Sequence, residues 1–462
     1  MDHITVRHIV EAVSGTLLCG DADTELKHIS IDSRSMRGAD LFVPLIGEKS
    51  DAHRFLVQAM DNGAAAALTS EHEAAPEGFH GALIQVKDTK LALQTIGRCL
   101  RARLSIPLVG ITGSVGKTTT REMVAAALSA KYKTFKTPAN HNSQIGVPLT
   151  ISEISENDEI GVLELGMSEP GEMAVIAEIA AVDSAVMTNI GVTHIENLGS
   201  RENILKEKLH IQDGMKAGGI LFVNGDNDML STVHAKAGCH TVRYGLGADN
   251  DYRAEDLSYP DGFPSFTMVH GEVRVPVKLT VMGEHNVMNA LAALAVADAY
   301  GVPLADAAEK LLEFGGFKNR QQIYHKNGYT IVDDTYNASP DSITSNLHAL
   351  FDYPGNGRRI AVLADVLELG KDSGKLHEGI GQFIIEEQNK GRRLDYLFTV
   401  GKEAAHISDY VKAHSDIPIF SAESKDEVMN ELETKLQKED WVLVKGSRGM
   451  KMDEVVKRLI KE

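Results

Sequence analysis

A glycine-containing loop at residues 111–120 (ITGSVGKTTT) carries the residue types of a phosphate-binding site. Glycines let backbone N–H groups converge on phosphate oxygens without interference from a Cβ atom. The side chain of Lys117 can reach the outer phosphates, and the hydroxyl of Thr118 can ligate Mg²⁺. The common pattern G-x-x-x-x-G-K-[ST] would require glycine at position 111, whereas here Gly113 lies only three residues before Gly116. The stretch therefore predicts a phosphate site with a non-standard loop.

The segments around this loop predict the elements that hold it. The apolar run IPLVGIT predicts a strand before the loop, and TTTREMVAAALSAKY predicts a helix after it, whose N-terminus favours anions. Downstream, EIGVLELG, SAVMTNIG and GGILFVNGD predict further strands separated by helix-length segments, which indicates a mostly parallel sheet covered by helices. FTMVHGEVRVPVKLTV predicts a hairpin at His270-Gly271, and NVMNALAALAVADAYG predicts an alanine-rich helix that ends at Gly301.

The two ends of the chain predict smaller α/β units. Near the N-terminus, DLFVPLIG and GALIQV are strand-like, HRFLVQAMDNGAAAAL is helix-like, and residues 89–104 predict a helix. After the glycine pair Gly315-Gly316, a plausible hinge, five strands are predicted at YTIVDD, RRIAVLAD, DYLFTVG, IPIFSA and DWVLVKG. We predict an α/β protein of three domains: a small N-terminal α/β domain (1–104), a central P-loop domain with a mostly parallel sheet (105–314) and a Rossmann-like C-terminal domain (315–462).

Composition and charge argue against nucleic-acid-binding, membrane and exported proteins. The chain has 462 residues, 43% hydrophobic and 24% charged, and its formal charge is 47 − 65 = −18. A field of that sign repels polyanions, so we expect no nucleic-acid partner. No apolar run approaches about 18 residues, and no signal-peptide pattern is present, so we expect neither membrane insertion nor export. The three cysteines, Cys19, Cys99 and Cys239, form no C-x-x-C motif, which favours a reducing cytoplasm.

The unusual loop resembles a family pattern. TGSVGKTTT is similar to the T-G-[ST]-x-G-K-[ST]-[ST] loop of the Mur ligases, ATP-dependent amide-forming enzymes of peptidoglycan synthesis. Four further motifs follow in the family's order: TPANHNSQIGVP (137–148), ELGM (164–167), TNIGVTHIENLGS (188–200) and GEHNVMNALAA (283–293). The resemblance covers nearly the whole chain. It implies ATP and Mg²⁺, with two metal ions expected.

Candidate metal residues rest partly on this resemblance. Glu164 ends a predicted strand beside the loop, where a metal ligand and a solvated acid are equally reasonable from the residues alone. The resemblance implies a metal role for it and for His194, together with Thr118. ENILKEKLHIQDGM predicts an amphipathic helix, and its lysines would ordinarily be solvated. The resemblance instead implies a carbamylated lysine that helps to hold the second Mg²⁺, with Lys208 the better match and Lys206 the alternative.

The resemblance also assigns nucleotide contacts. It implies that Asn289 contacts the adenine and Arg320 the phosphates; an arginine just past a hinge can close onto ATP. Asp334, Tyr336 and Asn337 follow a predicted strand and are candidates for the ribose and base, although a capped turn explains each equally well. The predicted catalytic residues are Lys117, Lys208, His194 and Arg320. The predicted nucleotide site comprises Gly113, Ser114, Gly116, Lys117, Thr118, Thr119, Asn289, Arg320, Asp334, Tyr336 and Asn337.

Substrate specificity is implied by the two end domains. SIDSRSMRGADLFVPLIGEKSDAHRF (30–55) resembles the module that holds the uridine diphosphate end of the substrate in the two later-acting Mur ligases. An arginine suits a phosphate because it can pair with it bidentately. VDDTYNASPDS, LADVLELG and VKGSRGM resemble the member that adds D-alanyl-D-alanine, and the D-N-P-R of the member adding the third amino acid is absent. The predicted substrate contacts are Ser30, Asp32, Ser33, Arg34, Asn140, Asn142 and Arg448.

The implied reaction is ATP-dependent amide ligation. The terminal carboxylate of a UDP-N-acetylmuramoyl-tripeptide becomes an acyl phosphate, and the amine of D-alanyl-D-alanine attacks it. We expect a monomer. The alternatives are the Mur ligase that adds the third amino acid and a folylpolyglutamate synthetase, whose loop usually reads G-K-G-S. Two alternatives are not ligases. One is a regulatory P-loop NTPase that acts as a switch, although the guanine-specific motif N-K-x-D is absent, and the other is a non-catalytic UDP-sugar-binding protein.

Overall fold

The N-terminal part of the chain forms a mixed sheet. The structure of the protein is a computed structural model, which describes residues 1, 3–47, 50–353 and 355–461. The sheet order is β2-β7-β6-β5-β4, with β2 antiparallel to β7 and the other pairs parallel, while β1 and β3 form a separate antiparallel pair. The elements are β1 (Ile4–Thr5), α1 (Val6–Val13), β2 (Thr16–Cys19), β3 (Glu25–Leu26), β4 (His28–Ser30), β5 (Asp40–Phe42), α2 (Leu56–Asp61), β6 (Ala64–Thr69), β7 (Ala82–Gln85) and α3 (Thr89–Arg103).

One predicted helix in this region is wrong over its second half. The helix-like segment HRFLVQAMDNGAAAAL is a 3₁₀ turn and α2, followed by strand β6 (Ala64–Thr69). Gly63 has φ +110°, a left-handed conformation that terminates α2. The alanines then pair in parallel with β5 and β7 inside the core, so tertiary burial overrides their helix propensity.

The middle of the chain forms the largest sheet, in the order β16-β15-β14-β13-β12-β11-β8-β10-β9. Neighbouring strands from β9 to β14 pair in parallel, and β14, β15 and β16 pair antiparallel. The predicted hairpin at His270-Gly271 is confirmed. The strands are β8 (Leu108–Thr112), β9 (Thr134–Lys136), β10 (Ile160–Glu164), β11 (Ser184–Met187), β12 (Ile220–Asn224), β13 (His240–Gly245), β14 (Tyr252–Ser258), β15 (Ser265–His270) and β16 (Val273–Lys278).

Helices bury both faces of this sheet. Apolar residues of α4, α9 and α10 cover one face, and those of α5, α6 and α8 cover the other. The arrangement explains why the strands read as continuous apolar runs rather than alternating ones. The helices are α4 (Lys117–Leu128), α5 (Gly146–Glu153), α6 (Glu172–Ala180), α7 (Ile195–Leu198), α8 (Arg201–Leu209), α9 (Glu284–Ala299) and α10 (Leu304–Leu312).

The C-terminal part forms a third sheet, in the order β17-β18-β22-β19-β20-β21, parallel except for the β17–β18 pair. The five strands predicted after Gly316 are confirmed. The elements are β17 (Gln322–Lys326), β18 (Tyr329–Asp334), α11 (Pro340–Asp352), β19 (Arg359–Ala364), α12 (Ser373–Asn389), β20 (Tyr396–Val400), α13 (Ala405–His414), β21 (Ile419–Ala422), α14 (Lys425–Lys435), β22 (Trp441–Lys445) and α15 (Asp453–Ile460).

The order of the middle sheet identifies where a ligand is expected. After β8 the chain moves to one edge to form β9 and β10, and then crosses back to place β11 on the other side of β8. In parallel α/β sheets, ligands bind beyond the carboxyl ends of strands at such a reversal. The 111–120 loop lies at this point.

The α/β fold class is confirmed. The three sheets take their strands from residues 16–85, 108–278 and 322–445, and domain boundaries near residues 105 and 315 remain our proposal. None of the helices in the described part of the chain combines the length and the apolar character needed to cross a membrane.

Candidate active site

The phosphate loop joins the end of β8 to the start of α4. Gly113 and Gly116 have φ values of +150° and +86°. A Cβ atom on Gly113 would lie 1.9 Å from Oγ1 of Thr188, so this position accepts no larger residue without a shift. The Thr188 hydroxyl donates to the carbonyl of Val115 at 2.5 Å, and the Asn189 side chain accepts from the Val115 N–H at 2.8 Å. Thr188 and Asn189, which follow β11, therefore stabilise the conformation of the phosphate loop through these hydrogen bonds.

Lys117 begins α4 and folds back over the loop. Its Nζ donates to the carbonyl of Gly113 at 2.7 Å. Burial lowers the pKa of Lys117, and the nearby charge of Glu164 acts in the opposite direction. This contact holds the ammonium at the loop, and its predicted role as a phosphate ligand stays a prediction.

Arg320 reaches the phosphate loop from the C-terminal part of the chain. Its Nη2 donates to the Thr118 hydroxyl at 3.2 Å, which joins residues 202 positions apart in sequence. Its guanidinium carbon lies 4.3 Å from the ring centroid of Tyr336, and its buried Nε has no hydrogen-bond partner in the described part of the chain. A buried N–H of this kind beside a phosphate loop is suited to bind an anion. The prediction that Arg320 closes onto this loop is supported by this contact and remains a prediction for bound ATP.

Asp334 and Asn337 are tied to Lys445 at the end of β22. The buried Asp334 carboxylate accepts hydrogen bonds from Nζ of Lys445 and from the side-chain amide of Asn346. Lys445 also donates to the Asn337 carbonyl at 3.0 Å, and burial lowers its pKa. Asp334 is thus committed to an internal ion pair in this conformation, and its proposed ribose contact stays a prediction.

Asn289 packs behind the phosphate loop. Its Oδ1 accepts from the Thr120 hydroxyl at 2.9 Å, and its Nδ2 donates to Asn286 at 3.0 Å. A Cβ atom on Gly116 would lie 3.1 Å from the same Oδ1. Asn289 therefore supports the loop, and its predicted contact with the adenine stays a prediction.

Glu164 lies at the end of β10, as predicted, but it is not a free acid. The side chain is buried and accepts from Arg121 at 3.1 Å and from Asn142 at 2.8 Å. The backbone carbonyl of Asn140 accepts from the N–H of Asn142 at 2.8 Å, and Asn140 itself is exposed. The burial of Arg121 could not be predicted from the sequence, because an arginine within an ordinary amphipathic helix carries no signal of burial.

His194 joins the middle and C-terminal parts of the chain. It has a left-handed backbone with φ +63°, and its Nδ1 lies 2.5 Å from Oε2 of Glu368. This hydrogen bond lowers the pKa of the Glu368 carboxyl. Glu368 belongs to the LADVLELG motif, and no sequence signal indicated that it meets His194.

Lys208 and Lys206 differ sharply in exposure. Lys206 is exposed, whereas Lys208 is 1% exposed, so the expectation that the lysines of this helix are solvated is wrong for Lys208. Burial lowers the pKa of Lys208 well below its ordinary value, and the positive charge of Lys117 lowers it further. Glu207 acts in the opposite direction. The described residues contain no cluster of three or more His, Cys, Asp or Glu side chains able to hold a metal ion by themselves.

The N-terminal candidates form a compact turn after β4. The Asp32 carboxylate accepts from Nε and Nη2 of Arg34 at 2.9 and 2.8 Å, which lowers the pKa of Asp32 to about 2. The Ser33 hydroxyl contacts Gln58 at 3.2 Å, and the Ser30 hydroxyl donates to the Asp32 carbonyl at 3.1 Å. The Arg34 side chain is largely exposed, but its Nε and Nη2 are engaged by Asp32, so the predicted phosphate contact stays a prediction.

A cavity lies between the phosphate loop and the C-terminal sheet, and we refer to it as the large cavity. It brings together predicted residues from both sides, whereas Glu164, Lys208 and the N-terminal candidates do not line it. Lining residues that the sequence did not indicate include His285, Phe317, Gln321 and Asn346. The predicted residues that line it are Ser114, Gly116, Lys117, Thr118, Thr119, His194, Asn289, Arg320, Asp334 and Asn337.

Comparisons with known proteins agree over the whole chain. Family models match for the Mur ligase family, catalytic domain (residues 25–102), the Mur ligase middle domain (111–297) and the Mur ligase, glutamate ligase domain (319–448). The chain is 38% identical to the UDP-N-acetylmuramoyl-tripeptide–D-alanyl-D-alanine ligase of Bacillus subtilis (strain 168), over 99% of this chain and 98% of that protein.

Solved structures give the same result. The fold is similar to that of MurF from Acinetobacter baumannii, with a TM-score of 0.89, 29% identity and 99% coverage of both chains. It is also similar to MurF from Thermotoga maritima in complex with ADP, with a TM-score of 0.83, 29% identity, and coverage of 94% of this chain and 97% of that one.

Proposed function

Because the chain belongs to the Mur ligase family, we propose that it uses ATP to join D-alanyl-D-alanine to a UDP-N-acetylmuramoyl-tripeptide in peptidoglycan precursor synthesis. The observation that carries this proposal is the contact between Arg320 and Thr118, 3.2 Å apart, because it assembles one cationic site from two domains around a phosphate loop. The full-length similarity to ligases of this specificity supports the choice of substrates.

The residues of the large cavity fit a nucleotide triphosphate. Gly113 and Gly116 adopt the positive φ values that let the loop backbone turn at the cavity, and the buried Nε of Arg320 has no hydrogen-bond partner among the described residues. We propose that the loop amides and Lys117 bind the phosphates, with Asn289, Asp334, Tyr336 and Asn337 on the nucleoside side. When bound, ATP supplies the phosphoryl group that turns the tripeptide carboxylate into an acyl phosphate.

The residues of the chain act mainly by positioning and charge neutralisation. We propose that Lys117 and Arg320 neutralise the charge that develops during phosphoryl transfer, because fixed cations in a partly buried site stabilise such charge more than water does. Closure of the C-terminal domain over the loop excludes water, which would otherwise hydrolyse the activated carboxylate.

We propose that Mg²⁺ is held by the Thr118 hydroxyl, Glu164, His194 and a carbamylated Lys208, with two ions in the complete site. Hydroxyl and carboxylate oxygens are ligands that Mg²⁺ prefers, and when bound the metal neutralises phosphate charge.

The burial of Lys208 supports its carbamylation. A lowered pKa increases the fraction of amine that is unprotonated, and an unprotonated amine adds CO₂ by forming an N–C bond and releasing one proton. The resulting carbamate would face the positive charge of Lys117. Isotopically labelled bicarbonate should give a carbamate signal by NMR in the intact protein, and Lys208→Met should abolish it. The control, Lys206→Met, removes the exposed lysine of the same helix and should retain the signal; its loss there would assign the carbamate to Lys206.

For the uridine diphosphate end, we propose contacts by Ser30, Asp32, Ser33 and Arg34, and we place Asn140, Asn142 and Arg448 on the peptide side. All three cysteines are free thiols, which supports our proposal of a cytoplasmic enzyme. We propose a monomer, and sedimentation analysis tests this.

A substrate matrix tests the function. We expect phosphate release from ATP only when UDP-N-acetylmuramoyl-tripeptide and D-alanyl-D-alanine are both present. Release with single amino acids and the UDP-linked dipeptide would indicate the ligase of the third residue. Release with a folate and glutamate would indicate a folylpolyglutamate synthetase. Release with no acceptor at all would indicate a P-loop switch, and any of these three results refutes the proposal.

A further inference from the structure

A chain of polar side chains links the helix after the phosphate loop to the C-terminal sheet. Five hydrogen bonds join its members, and in each of them the donor lies on the α4 side of its acceptor. Hydrogen bonds that run in one direction polarise one another, so each strengthens the next. The members, in order from α4, are Thr120, Asn289, Asn286, Gln321, Asn346 and Asp334.

Gln321 is the member at which this chain passes from the middle to the C-terminal part of the protein. Its Oε1 accepts from Nδ2 of Asn286 at 3.3 Å and lies 3.1 Å from Nε2 of His285, and both of these residues belong to α9. Its Nε2 donates to Oδ1 of Asn346, on α11, at 2.7 Å. An apolar side chain at this position would leave the buried amides of Asn286 and Asn346 with one hydrogen bond fewer each.

The backbone around Gln321 is strained. Gln321 and Asn319 both have left-handed backbones, with φ +51° and +59°, and they lie on either side of Arg320. A glutamine rarely adopts this conformation, because its Cβ crowds the neighbouring backbone. Such a conformation persists only where surrounding contacts hold it, and here the N–H of Gln321 also donates to Oδ1 of Asp334 at 3.2 Å. The contacts of Gln321 therefore stabilise the turn that carries Arg320.

Arg320 and Gln321 both connect to the start of α4, one directly and the other through two asparagines. Nη2 of Arg320 donates to the Thr118 hydroxyl at 3.2 Å. Gln321 reaches the Thr120 hydroxyl through the asparagines of α9. Because Thr118 and Thr120 lie on one turn of α4, two consecutive residues hold the same turn of one helix. A displacement of Gln321 would therefore move Arg320 relative to the phosphate loop.

We propose that Gln321 is a positioning residue, which holds the guanidinium of Arg320 on the phosphate loop by coupling α9 to α11. This inference goes beyond the nucleotide contacts given above, and its kinetic test rests on the proposed function. Because the partners of the Gln321 side chain lie on helices of two parts of the chain, its hydrogen bonds form together only when those parts are in contact. Arg320 is thus placed for phosphoryl transfer only in the arrangement that also excludes water.

The kinetic test uses Gln321→Met in the full-length protein, because methionine keeps the length of the side chain and removes its hydrogen bonds. We expect kcat for the ligation of D-alanyl-D-alanine to fall about 10- to 100-fold, since small displacements of a positioned group have effects of this size, and KM for the UDP-linked substrate to stay unchanged. In an Arg320→Met background the same change should lower kcat by less than about threefold, because the group that Gln321 positions is already absent. Gln382→Met, at an exposed glutamine of α12, is the control and should leave kcat unchanged.

A second measurement does not depend on ligation. The Nε–H of Arg320 is buried without a hydrogen-bond partner among the described residues, and NMR of protein labelled with nitrogen-15 arginine observes it. Arg320→Met assigns the signal by removing it. Hydrogen exchange of this N–H with water should be about tenfold faster, or more, in Gln321→Met, because the guanidinium is no longer held in its buried position. The exchange should be unchanged in Gln382→Met.

The outcomes separate this inference from the proposed function. A kcat that Gln321→Met leaves unchanged, or lowers as much in the Arg320→Met background as in wild type, would overturn the inference and leave the proposed function intact. Absence of ligation by wild type would overturn the proposed function. In that case, or where Arg320→Met is too slow to measure, the exchange measurement decides, and unchanged exchange in Gln321→Met refutes the inference. If Gln321→Met fails to fold, Gln321→Asn replaces it in both measurements, because asparagine tolerates a left-handed backbone but is one methylene too short to contact both partners.

Discussion

Replacing Lys445 with methionine should destabilise the C-terminal domain selectively. Lys445 is 2% exposed, and its ammonium is the cationic partner of the Asp334 carboxylate. Without the lysine, the partners that this carboxylate keeps among the described residues are the Asn346 amide and the Gln321 N–H, the latter at 3.2 Å. Methionine preserves the length of the side chain and its apolar contacts. The change therefore leaves a buried carboxylate without its counter-charge.

The expected cost follows from that uncompensated charge. Removing one partner of a buried ion pair costs about 3–5 kcal/mol of unfolding free energy. For a unit the size of the proposed C-terminal domain, 1 kcal/mol shifts the melting temperature by about 2–4 °C, so we expect a decrease of roughly 10 °C. Lys412→Met, at an exposed lysine of the same domain, is the control and should change stability by less than about 0.5 kcal/mol.

The single tryptophan makes the measurement specific. Trp441 lies on β22, four residues before Lys445, is 9% exposed, and packs 4.5 Å from the Tyr353 ring. Thermal unfolding followed by its fluorescence therefore reports on the C-terminal domain alone. A decrease of less than about 3 °C in Lys445→Met would refute the reasoning, because it would mean that the buried carboxylate needs no cation.

The reciprocal variant adds a dependence on pH. In Asp334→Asn the ammonium of Lys445 loses its partner, and burial already lowers its pKa from the ordinary 10.5. The folded state then binds fewer protons than the unfolded state between that lowered pKa and 10.5, so stability rises with pH across this window. The penalty of Asp334→Asn should be smaller at about pH 9 than at about pH 7, and the double variant should recover at least half of the Lys445→Met loss.

Three further changes address the phosphate loop and the uridine diphosphate module. Lys117→Ala should lower turnover by about 10²-fold or more, and steady-state kinetics that show intact turnover would reject the phosphate-loop assignment. Gly113→Ala should abolish ATP binding measured by calorimetry, because its Cβ would lie 1.9 Å from Oγ1 of Thr188, whereas Gly171→Ala, also at positive φ but with open space around it, should retain binding. Arg34→Gln should raise KM for the UDP-linked substrate about tenfold with KM for ATP unchanged, and an equal rise in both would contradict a local role.

The sequence predicted most strands because apolar runs bounded by glycine are a strong local signal. It failed where long-range packing outweighed local preference. The alanines of β6 have high helix propensity, yet they lie between two strands whose positions depend on residues far away in sequence.

Long-range packing also limited what the sequence could predict about the candidate site. The phosphate loop was predictable because Gly113, Gly116 and Lys117 are contiguous. The burial of Lys208, the pairing of Asp334 with Lys445 and the contact of His194 with Glu368 were not, because each depends on segments that meet only in the folded chain. Charged residues in a linear pattern look solvated until packing removes them from water.

A second cavity of about 200 Å³ adjoins the large cavity, and the lining that the two share bears on inhibition. A molecule with a nucleotide-like part in the large cavity and a smaller part in the second cavity would pass the shared lining of Thr193, His194 and residues 337–339. Once the first part is bound, the second binds as if at millimolar concentration, so linking the two can raise affinity by about 10²–10⁴-fold over either part alone. Thr193 and His194 follow a strand of the middle sheet, and residues 337–339 follow a strand of the C-terminal sheet. Such a molecule would therefore also hold these two parts of the chain together.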